Sequence, residues 1–565
     1  MFLISWNVAG LSTTLGRIDS DFKGESIASS SLPPSKLSRS HSFSYFLKRH
    51  GDPDILCIQE HKIPLKQLSS RSEPFGCADV DGYESFWSCC TDTQKRGFNG
   101  AVTYAKKGTV QFAESRPLGC EELDDQGRVV MTDHGAFVVF NVYAPASGGN
   151  SLTYKMKFLN ALRRAMRYQR EECKKKVIVV GDLNISYSGM DVYYRYRSIR
   201  VNDVLQQVED AKNDGCNLLP DWKHQVAKHW SKIETVLSTL EAKQVETKNI
   251  TNGNTFQKFR AVVNLNDRKV FLGGYEQTEL DCIANFQFPE SRYYDEDLGE
   301  ERIAKVSNHV YIETLAELMS KIASVTWDEP TIKTIANTDG LFKSSPIVDW
   351  LNDILKEDKM CDVFRYFWPN AQGRFTCWNQ QTNRRYENAG TRIDYTIVDQ
   401  SLMEFVEKSE CLRSCEYNGE DFCSDEASLH AATASNQFQG ASYGGGGIAN
   451  ATMRALETQF GERHTGMIYT PPNYSDHIAV SLKMNNHFER YFSTSLVLKG
   501  NTKKSQPHKT QKSISSFFSS GKSSSDLSSN SSGYSSFKRK SDTGIVSSKK
   551  KKGTLLAHFP QGSTK

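Results

Sequence analysis

Short apolar runs, each four to seven residues long, recur from the start of the chain to about residue 484 and constrain its fold more than any other feature. Runs of this length predict strands that are buried on at least one side. The predicted strands are Phe2–Trp6, Ile55–Ile58, Gly100–Tyr104, Ala136–Val142, Val177–Val180, Tyr395–Val398 and Ile478–Met484. Helix-like segments lie between some of them, at Tyr154–Arg170 and Ile347–Leu355. This alternation predicts an α/β layered fold.

Three segments interrupt the alternation and look inserted, at about 18–44, 197–343 and 412–470. The first is rich in Ser and contains Pro33-Pro34, and the third contains consecutive glycines at 444–447. We expect neither of these two to fold, whereas the middle segment has a helix-like piece, His229–Leu240, and a strand-like piece, Val270–Leu272. Residues 499–565 are dense in Ser and lack periodic apolar faces. We predict one domain at 1–498 with insertions, followed by a disordered tail at 499–565.

Charge divides the chain at the same point. Residues 499–565 hold 14 of the 70 basic and 2 of the 66 acidic residues, a net charge of +12, which leaves −8 for residues 1–498. An acidic body attracts nucleic acid poorly, so binding of nucleic acid would depend on local basic patches.

The sequence argues against membrane and secreted classes of protein. It has no run of about 18 apolar residues, and its first residues lack the basic segment and cleavage site of a signal peptide. The 13 cysteines are odd in number and lack paired spacing, which is typical of reduced thiols. Cys411, Cys415 and Cys423 have no matching partners at zinc-site spacing, so we do not predict a structural zinc there. We expect a soluble, non-secreted monomer without membrane contact.

Polar side chains mark the ends of the apolar runs. One such residue would most often be a turn former or a helix cap, but six runs share the pattern. If the strands pack side by side, these residues converge on one edge of the sheet, where α/β proteins place their sites. They are Asn7, Gln59, Glu60, Tyr143, Asp182, Asn184, Asp394, Ser475, Asp476 and His477.

The chemistry of this set is restricted. It lacks a Ser or Cys nucleophile beside a base, a phosphate-binding loop of the Walker type and a dinucleotide GxGxxG motif. Its carboxylates suit a hard cation such as Mg²⁺, and its His, next to one Asp, has a second Asp to orient it. This combination fits metal-assisted hydrolysis of a phosphodiester.

The motifs around these residues resemble the exonuclease III branch of the endonuclease/exonuclease/phosphatase superfamily. They occur in the family's order and cover residues 1–490 without the inserts: Ile4–Leu11, Ile58–Lys62, Gly97–Gly100, Asn141–Pro145, Gly181–Asn184, Arg392–Tyr395 and Ser475–His477. The resemblance implies a four-layered α/β sandwich, in which two mixed β-sheets are flanked by helices. It also implies a Mg²⁺- or Mn²⁺-dependent abasic-site (AP) endonuclease that acts in base excision repair.

The resemblance also implies roles for individual residues. Glu60 is similar to the principal metal ligand, with Asn7 and Asp476 near the cation. The metal set implied as a whole is Asn7, Glu60, Asp182, Asn184, Asp476 and His477.

Catalytic roles follow in the same way. Asp182 resembles the residue that activates the attacking water, and Asn184 the one that positions it. His477, oriented by Asp394, would contact the scissile phosphate or share the base role, and Tyr143 would donate to a phosphate oxygen. The sequence leaves the division of labour between Asp182 and His477 open.

The chain departs from the major abasic endonucleases at four positions. Ala9 and Ala146 replace a metal-site Asp and a phosphate-contacting Asn, and Cys377 and Thr391 replace aromatic residues that wall the abasic sugar pocket. A less enclosed pocket discriminates poorly for a flipped-out sugar. The runs Phe375–Trp378 and Asn388–Arg392 instead resemble the second eukaryotic type of abasic endonuclease, which is associated with weak abasic incision and stronger 3′-to-5′ exonuclease and 3′-phosphodiesterase action.

Basic and aromatic residues that alternate along the chain are candidates for contact with DNA, because they suit phosphate pairing and base stacking. Solvated loops are the equally good alternative for each patch. The candidates are Lys95, Arg96, Arg195, Arg197, Arg384 and Arg385.

The tail carries two further motifs. Residues 511–518 fit QxxIxxFF, the motif that binds the PCNA sliding clamp, with the contacts assigned to Gln511, Ile514, Phe517 and Phe518. Basic clusters within 538–552 read as a bipartite nuclear localisation signal, or else as a basic tail that only touches DNA.

Two other functions stay open at this point. One is a phosphodiesterase of the same superfamily on a non-DNA substrate, such as an inositol phosphate or a sphingolipid. The other is a non-catalytic scaffold that binds PCNA, for which Ala9 and Ala146 are the best support. The clamp motif disfavours the first, and the retained Glu60, Asp182 and His477 disfavour the second.

Overall fold

The computed structural model describes most of the chain up to residue 488. The described residues are 1–29, 39–68, 80–92, 97–146, 152–216, 218–250, 261–264, 269–272, 275–278, 283–284, 290–295, 299–305, 309–338, 345–379, 384–385, 388–407, 466–468, 470 and 473–488. The predicted clamp motif at 511–518, the basic clusters at 538–552 and nearly all of the 412–470 insert lie outside them.

The strands, in chain order, are β1 (Phe2–Asn7), β2 (Ile55–Gln59), β3 (Tyr83–Ser88), β4 (Ala101–Lys106), β5 (Phe112–Glu114), β6 (Val129–Asp133), β7 (Phe137–Tyr143), β8 (Lys176–Asp182), β9 (Ser198–Arg200), β10 (Ala261–Asn264), β11 (Lys269–Leu272), β12 (Tyr275–Thr278), β13 (Ile283–Ala284), β14 (Glu290–Asp295), β15 (Glu300–Lys305), β16 (His309–Tyr311), β17 (Met360–Asp362), β18 (Cys377–Trp378), β19 (Gly390–Thr391), β20 (Asp394–Asp399), β21 (Met467–Ile468) and β22 (Ala479–Lys483).

The helices are α1 (Leu11–Ser29), α2 (Arg39–Arg49), α3 (Leu65–Leu68), α4 (Glu121–Asp124), α5 (Leu152–Glu171), α6 (Val201–Asn213), α7 (Asp221–Ile250), α8 (Ile312–Ala323), α9 (Glu329–Ala336), α10 (Pro346–Lys356) and α11 (Val363–Phe367). Among the described residues, no helix combines the length and the apolar composition needed to cross a bilayer.

Two six-stranded mixed sheets form the centre of the fold. Their strand orders are β21-β22-β1-β2-β4-β3 and β17-β20-β8-β7-β6-β5. Alternate residues of each strand point to opposite faces. Leu3 of β1 and Val139 of β7 belong to one apolar cluster between the sheets, while their neighbours Ile4 and Val138 belong to clusters on the outer faces.

Helices cover both outer faces. Leu15 of α1 and Phe46 of α2 pack with Trp6 on the first sheet, and Phe158 of α5 packs with Phe140 on the second. The order of layers is therefore helix, sheet, sheet, helix, which confirms the predicted four-layered α/β sandwich. Every strand and helix predicted from apolar patterning overlaps an element of the same type, and the predicted strands Gly100–Tyr104, Ala136–Val142 and Ile478–Met484 extend at most one residue beyond it at either end.

The first insert differs from expectation. Within 18–44 the chain forms much of α1 and the start of α2, and Ile18 and Phe43 are buried in the outer cluster of the first sheet. The expectation that this segment does not fold was wrong for its described residues. Its apolar residues are too sparse to show helical periodicity, but Ile18 and Phe43 find an apolar surface in the tertiary structure.

The middle insert folds, as expected. Its helices α6, α7, α8 and α9 pack around one apolar cluster that includes Trp222, Trp230 and Leu315, and its strands β9 and β16 pair with each other. The eight cysteines in the described part of the chain are all free thiols, in keeping with the expectation from their spacing.

Candidate active site

The polar strand ends meet at one edge where the two sheets face each other. Asn7 ends β1, Glu60 directly follows β2, and Asp182 ends β8 of the other sheet. The side-chain amide of Asn7 joins them, since its Nδ2 lies 3.0 Å from Glu60 Oε1 and 3.0 Å from Asp182 Oδ2. Its Oδ1 accepts from the backbone N–H of Ala9 at 3.0 Å. In this orientation Asn7 holds two carboxylates together rather than offering its oxygen to a cation.

Glu60 occupies the turn that follows β2, with a left-handed φ of 54°. The ammonium of Lys62 lies 2.9 Å from Glu60 Oε2 and also donates to the carbonyl of Ala9 at 2.8 Å. Burial disfavours the charged form of Glu60, but Lys62, Asn7 and His477 together lower the pKa of this carboxyl below its ordinary value. Glu60 is therefore an ionised carboxylate at neutral pH.

Asp182 is buried, with 1% of its surface exposed. Its Oδ1 accepts from the backbone N–H of Asn184 at 2.8 Å. Burial, and then the neighbouring Asp394 carboxylate, raise the pKa of Asp182 to about 7, although His477 opposes the rise. A carboxyl with this pKa can take up a proton at neutral pH.

Asn184 lies two residues beyond Asp182 in a turn with a φ of 52°. Its Nδ2 donates to the carbonyl of Ala144 at 3.0 Å, and its own carbonyl accepts from Lys155 Nζ at 2.6 Å. These two bonds fix the loop that carries Asp182 against the end of β7 and helix α5.

His477 and Asp394 form a buried pair. His477 Nδ1 lies 2.8 Å from Asp394 Oδ2, and His477 Nε2 lies 3.9 Å from Asp182 Oδ2. Asp394 begins β20 directly opposite Asp182 in β8. Burial works against the charged imidazole, but the Asp394 carboxylate and the Cys377 side chain raise the pKa of His477 well above its usual value. His477 is thus held as an imidazolium, a donor of hydrogen bonds.

Tyr143 ends β7 beside these groups, and the guanidinium of Arg128 stacks 4.8 Å from the centre of its ring. Its hydroxyl is hydrogen-bonded to Glu60. Burial, with Glu60 next, raises the pKa of Tyr143 well above the ordinary value, so the side chain remains a phenol and a donor.

Asp476 immediately precedes His477 and is half-buried. Burial raises the pKa of its carboxyl, with Glu60 adding to the rise and His477 opposing it. Ser475 Oγ binds the carbonyl of Asn7 at 2.7 Å, which ties this segment to the end of β1.

The donor set fits a hard divalent cation. Glu60, Asp182 and Asp476 bring three carboxyls to this edge, and the pKa values of Asp182 and Asp476 are raised, chiefly by burial and in addition by neighbouring carboxylates. The ligand atoms of Asp182, Asp394 and His477 lie within 4.8 Å of one another, and Asp394 Oδ1 is buried with no hydrogen-bond partner in the described structure. Carboxylate oxygens of this kind are the ligands that Mg²⁺ prefers.

Sequence reasoning missed three residues of the site and one contact of a fourth. Lys62 binds Glu60, Arg128 stacks on Tyr143, and Cys377, which the sequence placed only among the replaced pocket residues, contacts His477. Lys155 is fully buried beside Asn184, and burial lowers its pKa to about 7. One signal was present for Lys155, since it is a lysine within the buried face of α5 between apolar residues. The other three give no local pattern.

Of the four candidate DNA contacts in the described part of the chain, Arg197 and Arg385 are buried and bonded inside the protein. Arg195 is partly exposed and pairs with Glu329. Arg197 is buried and donates to the carbonyls of Val192 and Ala336 at 2.9 and 3.2 Å. These internal bonds count against contact of Arg197 with phosphate.

The second patch is similar. Arg385 is buried, donates to the carbonyl of Thr470 at 2.7 Å and stacks on Trp378 at 5.1 Å, while Arg384 is half-buried. Arg385 thus packs inside the protein against Trp378, the neighbour of Cys377 in β18. Lys95 and Arg96 lie outside the described residues.

Several known proteins are similar in sequence. An exodeoxyribonuclease of Bacillus subtilis is 30% identical over 195 residues, which is 34% of this chain and 62% of that protein. A DNA-(apurinic or apyrimidinic site) endonuclease 2 of Schizosaccharomyces pombe is 36% identical over 172 residues, or 24% of this chain and 32% of the relative. A protein of the same name from Xenopus laevis is 27% identical over 410 residues, or 66% of this chain and 53% of the relative.

The chain spans less than two thirds of the length of each of these curated relatives. No protein-family model matches the sequence. The similarities confirm the resemblance to exonuclease III-type AP endonucleases that the motifs predicted, including the resemblance to endonuclease 2.

Proposed function

Because the chain is homologous to the exonuclease III-type AP endonucleases, we propose that it is a DNA repair nuclease that hydrolyses phosphodiester bonds with the help of a divalent cation. The observation that carries this proposal is the junction at Asn7. The side-chain amide of Asn7 binds both Glu60 and Asp182. His477, paired with Asp394, has its Nε2 3.9 Å from Asp182 Oδ2. This arrangement places a carboxylate for metal, a base of raised pKa and an imidazolium donor around one point.

Glu60 and Asp476 are the residues that would hold Mg²⁺ or Mn²⁺, with Asp182 adjoining them. When bound, such a cation neutralises charge on the phosphate and leaves the protein groups to move protons and hold oxygens. Lys62 keeps Glu60 ionised and adds a positive charge at the same edge.

In the proposed reaction Asp182 takes a proton from water as the water oxygen bonds to phosphorus. Its pKa of about 7 suits a general base at neutral pH. Asn184 orients the water, since its loop is fixed by the bonds to Ala144 and Lys155. The phosphorus–oxygen bond to the leaving strand breaks on the opposite side, and the leaving oxygen takes up a proton from solvent.

His477 and Tyr143 are the proposed donors to the non-bridging phosphate oxygens. Their pKa values are both raised well above the ordinary values, so each keeps its proton at neutral pH. Donors fixed in advance stabilise charge that develops on the oxygens in the transition state. This assignment gives Asp182, rather than His477, the role of base.

The proposed substrates are duplex DNA with abasic sites and with 3′ ends, with cleavage at 3′ ends favoured. Cys377 and Thr391 pair across β18 and β19, and the resemblance places them where the major abasic endonucleases have aromatic residues that enclose a flipped sugar. Relatives named DNA-(apurinic or apyrimidinic site) endonuclease 2 support abasic sites as substrates, and a relative named exodeoxyribonuclease supports cleavage at DNA ends.

The test compares two labelled duplexes, one with an internal abasic site and one with a recessed 3′ end, in Mg²⁺ and in Mn²⁺. We expect the wild type to cut the 3′ end faster, and Asp182→Asn to lose both activities by at least about 100-fold. The matched control is Asp399→Asn, because Asp399 lies at the far end of β20 and binds the backbone of Val177 and the side chain of Arg170. Cleavage retained in Asp182→Asn would refute the proposed base, and no cleavage by the wild type would refute the nuclease.

Recruitment by PCNA and nuclear localisation complete the proposal. Both rest on the sequence of the tail, at 511–518 and 538–552. Phe517→Ala combined with Phe518→Ala should abolish capture of the full chain by immobilised PCNA and leave DNA cleavage without PCNA unchanged. Equal capture of the variant would exclude this motif as the clamp-binding element.

A further inference from the structure

A short antiparallel pairing brings a thiol to the catalytic histidine. Cys377 of β18 lies directly across from His477, the backbone N–H of Trp378 donates to the carbonyl of Asp476 at 3.0 Å, and that of Ile478 donates to Thr376 at 2.9 Å. The register places the Cys377 side chain against the imidazole, with which it makes a hydrogen bond.

The ligand atoms of Cys377, Asp476 and His477 all lie within 4.8 Å of one another. In a tetrahedral zinc site the bond lengths to sulfur and nitrogen place such atoms about 3.5 Å apart, so movements of about 1 Å would close the set. Cys377 and His477 are buried, whereas Asp476 is half-buried and provides access from solvent. One sulfur, one nitrogen and one oxygen suit Zn²⁺ far better than Mg²⁺.

The surroundings of His477 also suit a metal ligand. Asp394 Oδ2 binds its Nδ1 at 2.8 Å, and a carboxylate in this position orients a metal-binding imidazole and raises its basicity. The second oxygen of Asp394 is buried and has no hydrogen-bond partner in the described part of the chain. A positive charge on His477 or on a cation beside it would compensate this buried oxygen.

We propose that Cys377, Asp476 and His477 form a binding site for a thiophilic divalent cation such as Zn²⁺ or Cd²⁺, and that its occupation inhibits DNA cleavage. The site overlaps the hard-cation site only at Asp476 and His477, since a thiol is a poor ligand for Mg²⁺. Inhibition rests on the nuclease function proposed above, whereas binding of the cation does not.

The chemistry of binding accounts for the inhibition. As the metal–sulfur bond forms, the Cys377 S–H bond breaks and its proton passes to solvent, and His477 likewise releases a proton to free a lone pair. The imidazole then no longer donates to a phosphate oxygen. The cation also takes the Asp476 carboxylate.

The experiment titrates the purified full chain with Zn²⁺ and with Cd²⁺ at saturating Mg²⁺. Cleavage of the recessed 3′ end is measured in parallel with the ultraviolet absorption of the cadmium–thiolate bond. The variants are Cys377→Ser and, as a matched control, Cys361→Ser, whose thiol lies beside Asp362 but has no imidazole described against it. Each inhibition curve is normalised to that protein's own uninhibited rate, so a change of basal rate in Cys377→Ser does not affect the comparison.

We expect Cys377→Ser to raise the half-inhibitory concentration at least about tenfold and to lose one equivalent of cadmium–thiolate absorption, because a direct ligand is removed. Cys361→Ser should match the wild type in both. Equal inhibition and equal absorption in Cys377→Ser and wild type would overturn the site. If the wild type cuts no DNA but Cys377→Ser still loses the absorption, the metal site stands and the proposed nuclease fails.

Discussion

Replacing Asp394 with asparagine isolates what the carboxylate does to His477. The substitution keeps the size of the side chain and removes its charge. A hydrogen bond to a charged partner contributes about 1.5–3 kcal/mol, and the bond here is 2.8 Å long and buried. At 1.36 kcal/mol per pKa unit, the pKa of His477 should fall by about one to two units.

The direction in which the pH profile shifts depends on which protonation state of His477 is active. If the imidazolium donates to phosphate, activity is lost as pH rises through the pKa of His477. In the wild type this pKa is raised well above its ordinary value, so the loss lies at alkaline pH. In Asp394→Asn the same loss should begin about one to two units lower.

The assay is the pH dependence of kcat/KM on the recessed 3′ end, from neutral to alkaline pH at saturating Mg²⁺. Asp394 also raises the pKa of Asp182, which as the proposed base governs the acidic limb, so the alkaline limb is the cleaner test of His477. The control is Asp399→Asn, which makes the same substitution at the other end of β20. An alkaline limb that stays in place in Asp394→Asn would refute the donor role of His477.

Three further predictions concern the site and its support. Lys62→Met should lower the half-saturating Mg²⁺ concentration about two- to fivefold in kinetic titrations, because a partly screened positive charge beside Glu60 is removed, and a rise would contradict this reasoning. Arg392→Met should destabilise the protein by about 3–5 kcal/mol in urea unfolding at neutral pH, since Arg392 is 1% exposed and pairs with Asp191 at 2.6 Å. Burial opposes ionisation of Asp191, but its ion-pair partners, Arg392 first, depress the pKa of this carboxyl. The stability that the Asp191–Arg392 pair contributes is therefore fully present above the unfolded pKa of about 3.9 and is lost as pH falls through the folded pKa. Phe43→Ala should cost about 3–5 kcal/mol by the same measurement, and a cost near zero would show that α2 does not pack as described.

The sequence was most informative for residues at the ends of predicted strands, because the position of the strand in the sheet also fixes the position of the residue. Each strand next to the site is a short apolar run, and the polar residue at its end, such as Asn7 or Asp182, needs only its neighbours in the sheet to reach the site. Sheet geometry brings such ends together without any special contact. The cluster of carboxylates was therefore predictable as a set.

The remaining residues depend on contacts between distant parts of the chain. Cys377 reaches His477 through a pairing across 100 residues, and Arg385 is buried by the backbone of Thr470. A basic residue in a loop gives the same sequence pattern whether its side chain faces solvent or is buried against a backbone carbonyl. Burial of Arg197 and Arg385 could not be predicted for this reason, and neither could the folding of Phe43 onto the first sheet.

The placement of β22 between β1 and β21 has a consequence for biosynthesis. His477 lies two residues before β22, and its carbonyl accepts from Trp6 Nε1 across 471 positions of sequence. A ribosome makes Asn7, Glu60 and Asp182 long before it makes His477. The nascent chain therefore carries three of the acidic and amide groups without their imidazole, and the centre is completed only after residues near 483 have left the ribosomal tunnel and joined the first strand. The groups of this site therefore come together only late in synthesis, once β22 has paired with β1.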